Sequence, residues 1–133
     1  MRRLEPARQR YAWGSTSAIP ALLGRAEDGA PWAEAWYGSH PAGPARVAGG
    51  DVLSTLIEAE PERLLGEDII WRFGRRLPFL LKLIAPERPL SLQVHPSQAQ
   101  AAEGYALEEE AGIALDHPAR NYKDTNHKPE MVL

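Results

Sequence analysis

Apolar positions along this chain alternate with period two in some stretches and follow a helical spacing in others, with Pro or Gly at most of the changes. Pro78–Ile84 reads as the clearest strand, and its alternation sets Leu80, Lys82 and Ile84 on one face. In Pro89-Leu-Ser-Leu-Gln-Val-His-Pro96, an extended backbone puts Ser91, Gln93 and His95 on one side and Leu92 and Val94 on the other. Glu34–Ser39 and Ala45–Ala48 flank a Pro-Ala-Gly-Pro turn and read as a pair of strands. Ser17 is placed to cap a short helix running to Leu23 and closed by Gly24. Asp51 caps a second helix reaching about Glu60, with Leu53, Leu56 and Ile57 on one side and Pro61 ending it. Ser97 and Gln100 have capping-box spacing, which predicts a helix to about Ala111, weakened by Gly104 and stopped by Gly112. Between Glu62 and Arg76, short helix and loop read equally, although Ile69, Ile70, Trp71 and Phe73 need apolar cover. Met131-Val-Leu133 resumes an extended apolar pattern. Short strands between turn residues predict a mainly β chain, a sandwich or barrel with helical insertions at about 51–60 and 97–111.

Composition narrows the classes. At 133 residues, 44% hydrophobic and 25% charged, the chain suits one globular domain with a real core. A net charge of -3 without a basic cluster argues against nucleic acid or an anionic membrane as partner. No apolar run is long enough to span a bilayer, and Met1-Arg-Arg leads into Leu-Glu-Pro rather than a signal-like stretch. The lack of cysteine removes disulfides and thiolate metal sites and fits a cytoplasmic protein. No internal repeat or flexible linker divides the chain.

The chemistry-bearing residues gather near the carboxy-terminal end. Gln93 and His95 share a face, and Glu130 follows in Asn126-His-Lys-Pro-Glu-Met131. Amide oxygen, imidazole and carboxylate together suit a divalent ion such as zinc without thiolates. On spacing alone, a satisfied surface pair is the commoner reading of such a strand. Lys82 places an ammonium among aliphatic neighbours, where either an anion meets it or its stem lies along apolar surface with its head in water. Ser91, on the ligand face, either donates to the same anion or is satisfied by backbone. Glu108, Glu109 and Glu110 read as a solvated acidic face rather than a cation site.

Wording adds what spacing does not. Tyr11-Ala-Trp-Gly-Ser15, Glu34-Ala-Trp-Tyr-Gly-Ser-His-Pro41, Pro78–Ile84, Pro89–Pro96 and Asn121-Tyr-Lys-Asp-Thr-Asn-His-Lys-Pro-Glu-Met131 occur in an order that resembles type I mannose-6-phosphate isomerases. The resemblance runs from about Tyr11 to the last residue, and departures such as Ala35 and Tyr37 touch no expected ligand. It concerns the amino-terminal part of a longer family and implies a cupin-like jelly roll. That barrel is incomplete here, because the chain looks truncated: residues 1–133 are read as the amino-terminal part of the catalytic domain.

The resemblance implies that Gln93, His95 and Glu130 hold Zn2+, with a further histidine from beyond Leu133 completing the site. His117 lies in a segment without the matching pattern. It also implies interconversion of mannose 6-phosphate and fructose 6-phosphate through an enediol, the partner being a small sugar phosphate bound by Lys82, Ser91 and Lys128. His127 and Lys128, nearest the carboxylate ligand in sequence, are the candidates for proton handling: a histidine is tunable across neutral pH, whereas a lysine needs a lowered pKa or serves as a clamp. Trp13, Glu34, Trp36 and His40 receive no catalytic role. This fragment by itself is expected to bind zinc weakly and turn over little. A non-catalytic sugar-phosphate-binding cupin is the alternative, and an iron oxygenase on a similar barrel is disfavoured by Gln93 where a second histidine is expected.

Overall fold

A computed structural model describes residues 2–133, which form two compact units, one ending at Leu90 and the other spanning Ser91–Leu133. The larger unit carries two antiparallel sheets. Strand β1 (Leu4–Glu5) and strand β4 (Arg46–Val47) make a two-stranded ribbon, Leu4 opposite Val47. Strand β3 (Glu34–Tyr37) is the centre of a three-stranded sheet between β2 (Ala7–Gln9) and β5 (Leu81–Ile84). Strands β3 and β4 therefore belong to different sheets, and the pairing expected across the Pro-Ala-Gly-Pro turn is corrected. A turn with a proline at each end leads the chain away instead of closing a tight hairpin.

The core of this unit lies on one face of the three-stranded sheet. Ile19, Trp32 and Ala35 are buried together, with Leu23, Tyr37, Leu83 and Ala85 packed around them. Helix α1 (Ala18–Leu22) contributes Ile19 and the buried Pro20, which is tolerated in a first turn because its missing N–H has no partner there anyway. Ser17 stands at the cap position but makes no capping hydrogen bond. The buried Ser15 does so instead: its Oγ accepts the N–H of Ser17 and of Ala18, each at 3.3 Å. Arg8 braces the loop before β3, donating to both carboxylate oxygens of Asp28 at 2.6 and 2.9 Å and to the Ala30 carbonyl at 2.6 Å.

Three short helices follow β4 in sequence: α2 (Leu53–Ala59), α3 (Pro61–Leu65) and α4 (Glu67–Phe73). Val52, not Asp51, precedes α2, and no side chain caps it. Pro61 opens α3 rather than merely ending α2, and Gly66 and Gly74, both with positive φ, bound α4.

The smaller unit is built on helix α5 (Gln98–Glu110), whose predicted capping box is present: the Ser97 Oγ accepts the Gln100 N–H and the Gln100 side chain accepts the Ser97 N–H. Gly112, at φ 68°, follows the helix end. No strand is assigned in Pro89–Pro96 or Met131–Leu133, where Leu92, Val94, Met131, Val132 and Leu133 are exposed. Alternation places side chains, but a strand also needs a hydrogen-bonded neighbour. Helix outweighs strand among the described residues, so the mainly β expectation gives way to sheets plus helices. Among the described residues no helix is long and apolar enough to cross a membrane.

Candidate metal centre

In the smaller unit one buried arginine ties the loop after α5 back onto that helix. Arg120 is 4% exposed. Its Nε donates to the Tyr122 carbonyl at 2.7 Å, Nη1 to the Ile113 carbonyl, and Nη2 to Glu109 at 2.7 Å. The guanidinium also lies 3.0 Å from a Glu108 oxygen and 4.8 Å from the centre of the Tyr105 ring. Glu108 in turn accepts the N–H groups of Asn121 and Tyr122 at 2.9 and 2.8 Å and the Asn121 amide at 3.1 Å. Burial acts to raise the Glu108 pKa, but those hydrogen bonds and the Arg120 charge outweigh it and hold the carboxyl below its ordinary value. The solvated acidic face expected at 108–110 is thus corrected at Glu108, while Glu109 and Glu110 are exposed. The partner of Glu108 comes from a loop beyond the helix, which no helical periodicity reveals.

From this anchor the chain passes through Thr125 and His127 to Glu130. The Gln98 amide, at the head of α5, donates to the Thr125 carbonyl at 2.7 Å and accepts the His127 N–H at 3.3 Å. On the other side, Pro96 and Ser97 link the same helix to His95. The result brings two of the three expected ligands together, with His95 Nε2 3.4 Å from Glu130 Oε1. Two ligands each about 2.1 Å from a tetrahedral ion stand about 3.4 Å apart, so the pair has the spacing of two corners around zinc. An amide oxygen is the compatible third donor. Gln93 is exposed and two residues from His95. No group of three or more His, Cys, Asp or Glu suited to a metal occurs among the described residues.

The other expected site residues are placed as follows. Ser91 is exposed, and so are His127 and Lys128, whose ammonium is 3.9 Å from an Asp124 oxygen. Lys82 belongs to the larger unit, on β5 opposite Trp36, with Nζ 5.2 Å from the centre of the indole. Its neighbour is therefore an aromatic face rather than the aliphatic cluster that alternation implied, and a ring quadrupole suits an ammonium. Reading the sequence missed Gln98 and Arg120. For Gln98 the one available signal is its position directly after the capping serine, and for Arg120 there is none.

Comparison with known proteins agrees with the wording of the five segments. Mannose-6-phosphate isomerase of Escherichia coli is 46% identical over 138 residues, covering 100% of this chain and 35% of the relative. The human enzyme of the same name is 34% identical, covering 98% of this chain and 31% of the relative. A crystal structure of mannose 6-phosphate isomerase from Salmonella typhimurium bound to substrate (F6P) and zinc superposes with a TM-score of 0.87 at 44% identity, covering 96% of this chain and 33% of that one. The chain thus spans about a third of the length of the curated relatives it matches. With residues 1–133 all matched by the family pattern, the chain belongs to the family described as phosphomannose isomerase type I, catalytic domain.

Proposed function

We propose that the chain contributes the amino-terminal part of a zinc-dependent aldose-ketose isomerase, one that interconverts mannose 6-phosphate and fructose 6-phosphate on a cupin-like jelly roll. The observation that carries this reading is the 3.4 Å separation of His95 Nε2 and Glu130 Oε1, within a chain 44% identical to a zinc- and substrate-bound isomerase. Gln93, His95 and Glu130 would hold the ion. With three donors from this chain, a bound zinc would keep a position for substrate, water or a further protein group. Zinc, when bound, supplies a Lewis acid that polarises the sugar oxygens and lowers the cost of the enediolate charge.

The remaining work is proton movement and positioning. In the forward direction a base takes the proton from C2 of the opened aldose and a proton is returned at C1, while the hydroxyl proton on O2 is lost and one is gained on O1. His127 handles these protons or supports the group that does, and Lys128 holds substrate oxygens or phosphate once it lets go of Asp124. Lys82 and Ser91 receive the phosphate. The test is zinc content in a protein carrying this chain and in its Gln93→Ala, His95→Ala and Glu130→Ala variants. Each variant is expected to lose metal, and unchanged stoichiometry in all three would remove the reading. Deuterium uptake from solvent into fructose 6-phosphate separates an isomerase from a sugar-phosphate-binding cupin: tight binding with no uptake favours the latter.

A further inference from the structure

Gln98 stands three residues after His95, and its carboxamide reaches the segment that ends in Glu130. One side chain satisfies an acceptor and a donor of the same backbone stretch, Thr125 C=O at 2.7 Å and His127 N–H at 3.3 Å, much as a neighbouring strand would. Resting on the metal reading above, we propose that Gln98 is a positioning residue: its amide sets the separation of His95 and Glu130, and with it the affinity of the pair for a divalent cation.

The connections on both sides are short and stiff. Gln98 is the first residue of α5, and the Ser97–Gln100 capping box fixes its backbone. Pro96 restricts the path back to His95, and Pro129 does the same before Glu130. Each ligand is therefore a few constrained bonds from the brace. Upstream, Arg120 and Glu108 pin residues 120–122, and the Asn126 N–H closes a tight turn on Asp124 at 2.7 Å. Beyond that turn, among the described residues, the Gln98 amide, the His95–Glu130 contact and an exposed Lys128–Asp124 pair at 3.9 Å tie 125–133 to the rest, and the first two reach outside the segment's own turn. Removing the amide leaves the carboxylate ligand on an arm held back only by the exposed Lys128–Asp124 pair, so that binding the ion must also order the arm.

Both Gln98 bonds are solvent-exposed. Water replaces them at little cost to folding, whereas ligand geometry has no such substitute. This separation of effects is the test. Chelator competition would measure zinc affinity of the full chain, of Gln98→Ala, of Gln98→Met, which keeps the bulk without the amide, and of Glu130→Ala, with thermal unfolding of each. The Gln98 variants are expected to bind zinc about tenfold more weakly with midpoints within about 2 °C of wild type, and to exchange the His127 amide faster. Wild-type affinity in both Gln98 variants, with affinity lost in Glu130→Ala, overturns the positioning role alone. Wild-type affinity in Glu130→Ala as well overturns the metal reading, and the role of Gln98 falls with it.

Discussion

Gly104 lies flat against the ring of Tyr122, so that a Cβ built at residue 104 comes within 2.4 Å of two ring carbons. The ring has little freedom to withdraw, because Glu108 holds the Tyr122 N–H at 2.8 Å and Arg120 Nε holds its carbonyl at 2.7 Å. In an open helix, replacing glycine by alanine gains up to about 1 kcal/mol. Here overpacking opposes that gain at about 1–3 kcal/mol. Gly104→Ala is expected to lose about 1 kcal/mol net in urea unfolding. A more stable variant would show that the ring yields and that the glycine is not there for close approach.

Arg120 has no exposed side-chain surface, and its donors serve two backbone carbonyls and two carboxylates. Arg120→Met keeps the apolar stem beneath Tyr105 but strands those acceptors, which costs about 3 kcal/mol for a buried partner removed. Arg120→Lys should recover only part of this, since a point charge does not reproduce the fork. Denaturant midpoints order the three proteins, and early proteolytic cleavage in 113–125 locates the loss. A methionine variant as stable as wild type would contradict the anchoring role.

Two carboxylates tie stability to acid. The hydrogen bonds from Arg8, and then the Ala30 N–H, hold Asp28 well below the usual carboxylate range. Glu108 is also lowered, despite the opposing effect of burial, by Asn121, Tyr122 and Arg120. A lowered folded-state pKa contributes stability above the ordinary value, and this is lost as pH falls through that value towards the folded one, because the unfolded chain takes up its proton first. Stability should therefore begin to decline below about pH 5 and go on declining past about pH 3 towards the folded-state value of Asp28, the more gently for the exposure of Asp28 to water. Asp28→Asn combined with Glu108→Gln is expected to be less stable at neutral pH with a shallower acid limb. Superimposable limbs would rule these two groups out as the source.

What was legible in the sequence is what neighbours in sequence decide. The capping box of α5 and the glycine after it needed only residues 97–112. The period-two run that contains β5 was visible because sheet faces alternate in place. Pairing was not: Val47 meets Leu4 and Trp36 meets Lys82 through contacts distant in sequence. Pro89–Pro96 shows the limit most clearly, since it alternates as a strand and joins no sheet. At the proposed metal centre, residue type and wording singled out Gln93, His95 and Glu130, of which the structure brings His95 and Glu130 together. Gln98 and Arg120, which hold the segments on either side of that 3.4 Å pair, act across a loop, and their partners carry no local pattern.

Lys82 is the place where a binding role and a packing role can be told apart. Its ammonium stands 5.2 Å from the centre of the Trp36 ring. The indole is itself held by its Nε1 donating to Glu34 at 2.5 Å and by edge contact with His40. A partly exposed cation on an aromatic face is worth about 0.5–1 kcal/mol, and a methionine in its place still covers the ring. Lys82→Met is therefore expected to change unfolding free energy by less than about 1 kcal/mol. If the ammonium meets a phosphate, the same substitution removes a charge-assisted contact worth about 1.5–3 kcal/mol, or at least about tenfold in fructose 6-phosphate affinity. Binding of the sugar phosphate, compared between wild type and variant in a protein carrying this chain, separates the two. Equal affinities would leave Lys82 as a cation that packs on Trp36, and the phosphate would then need a different partner.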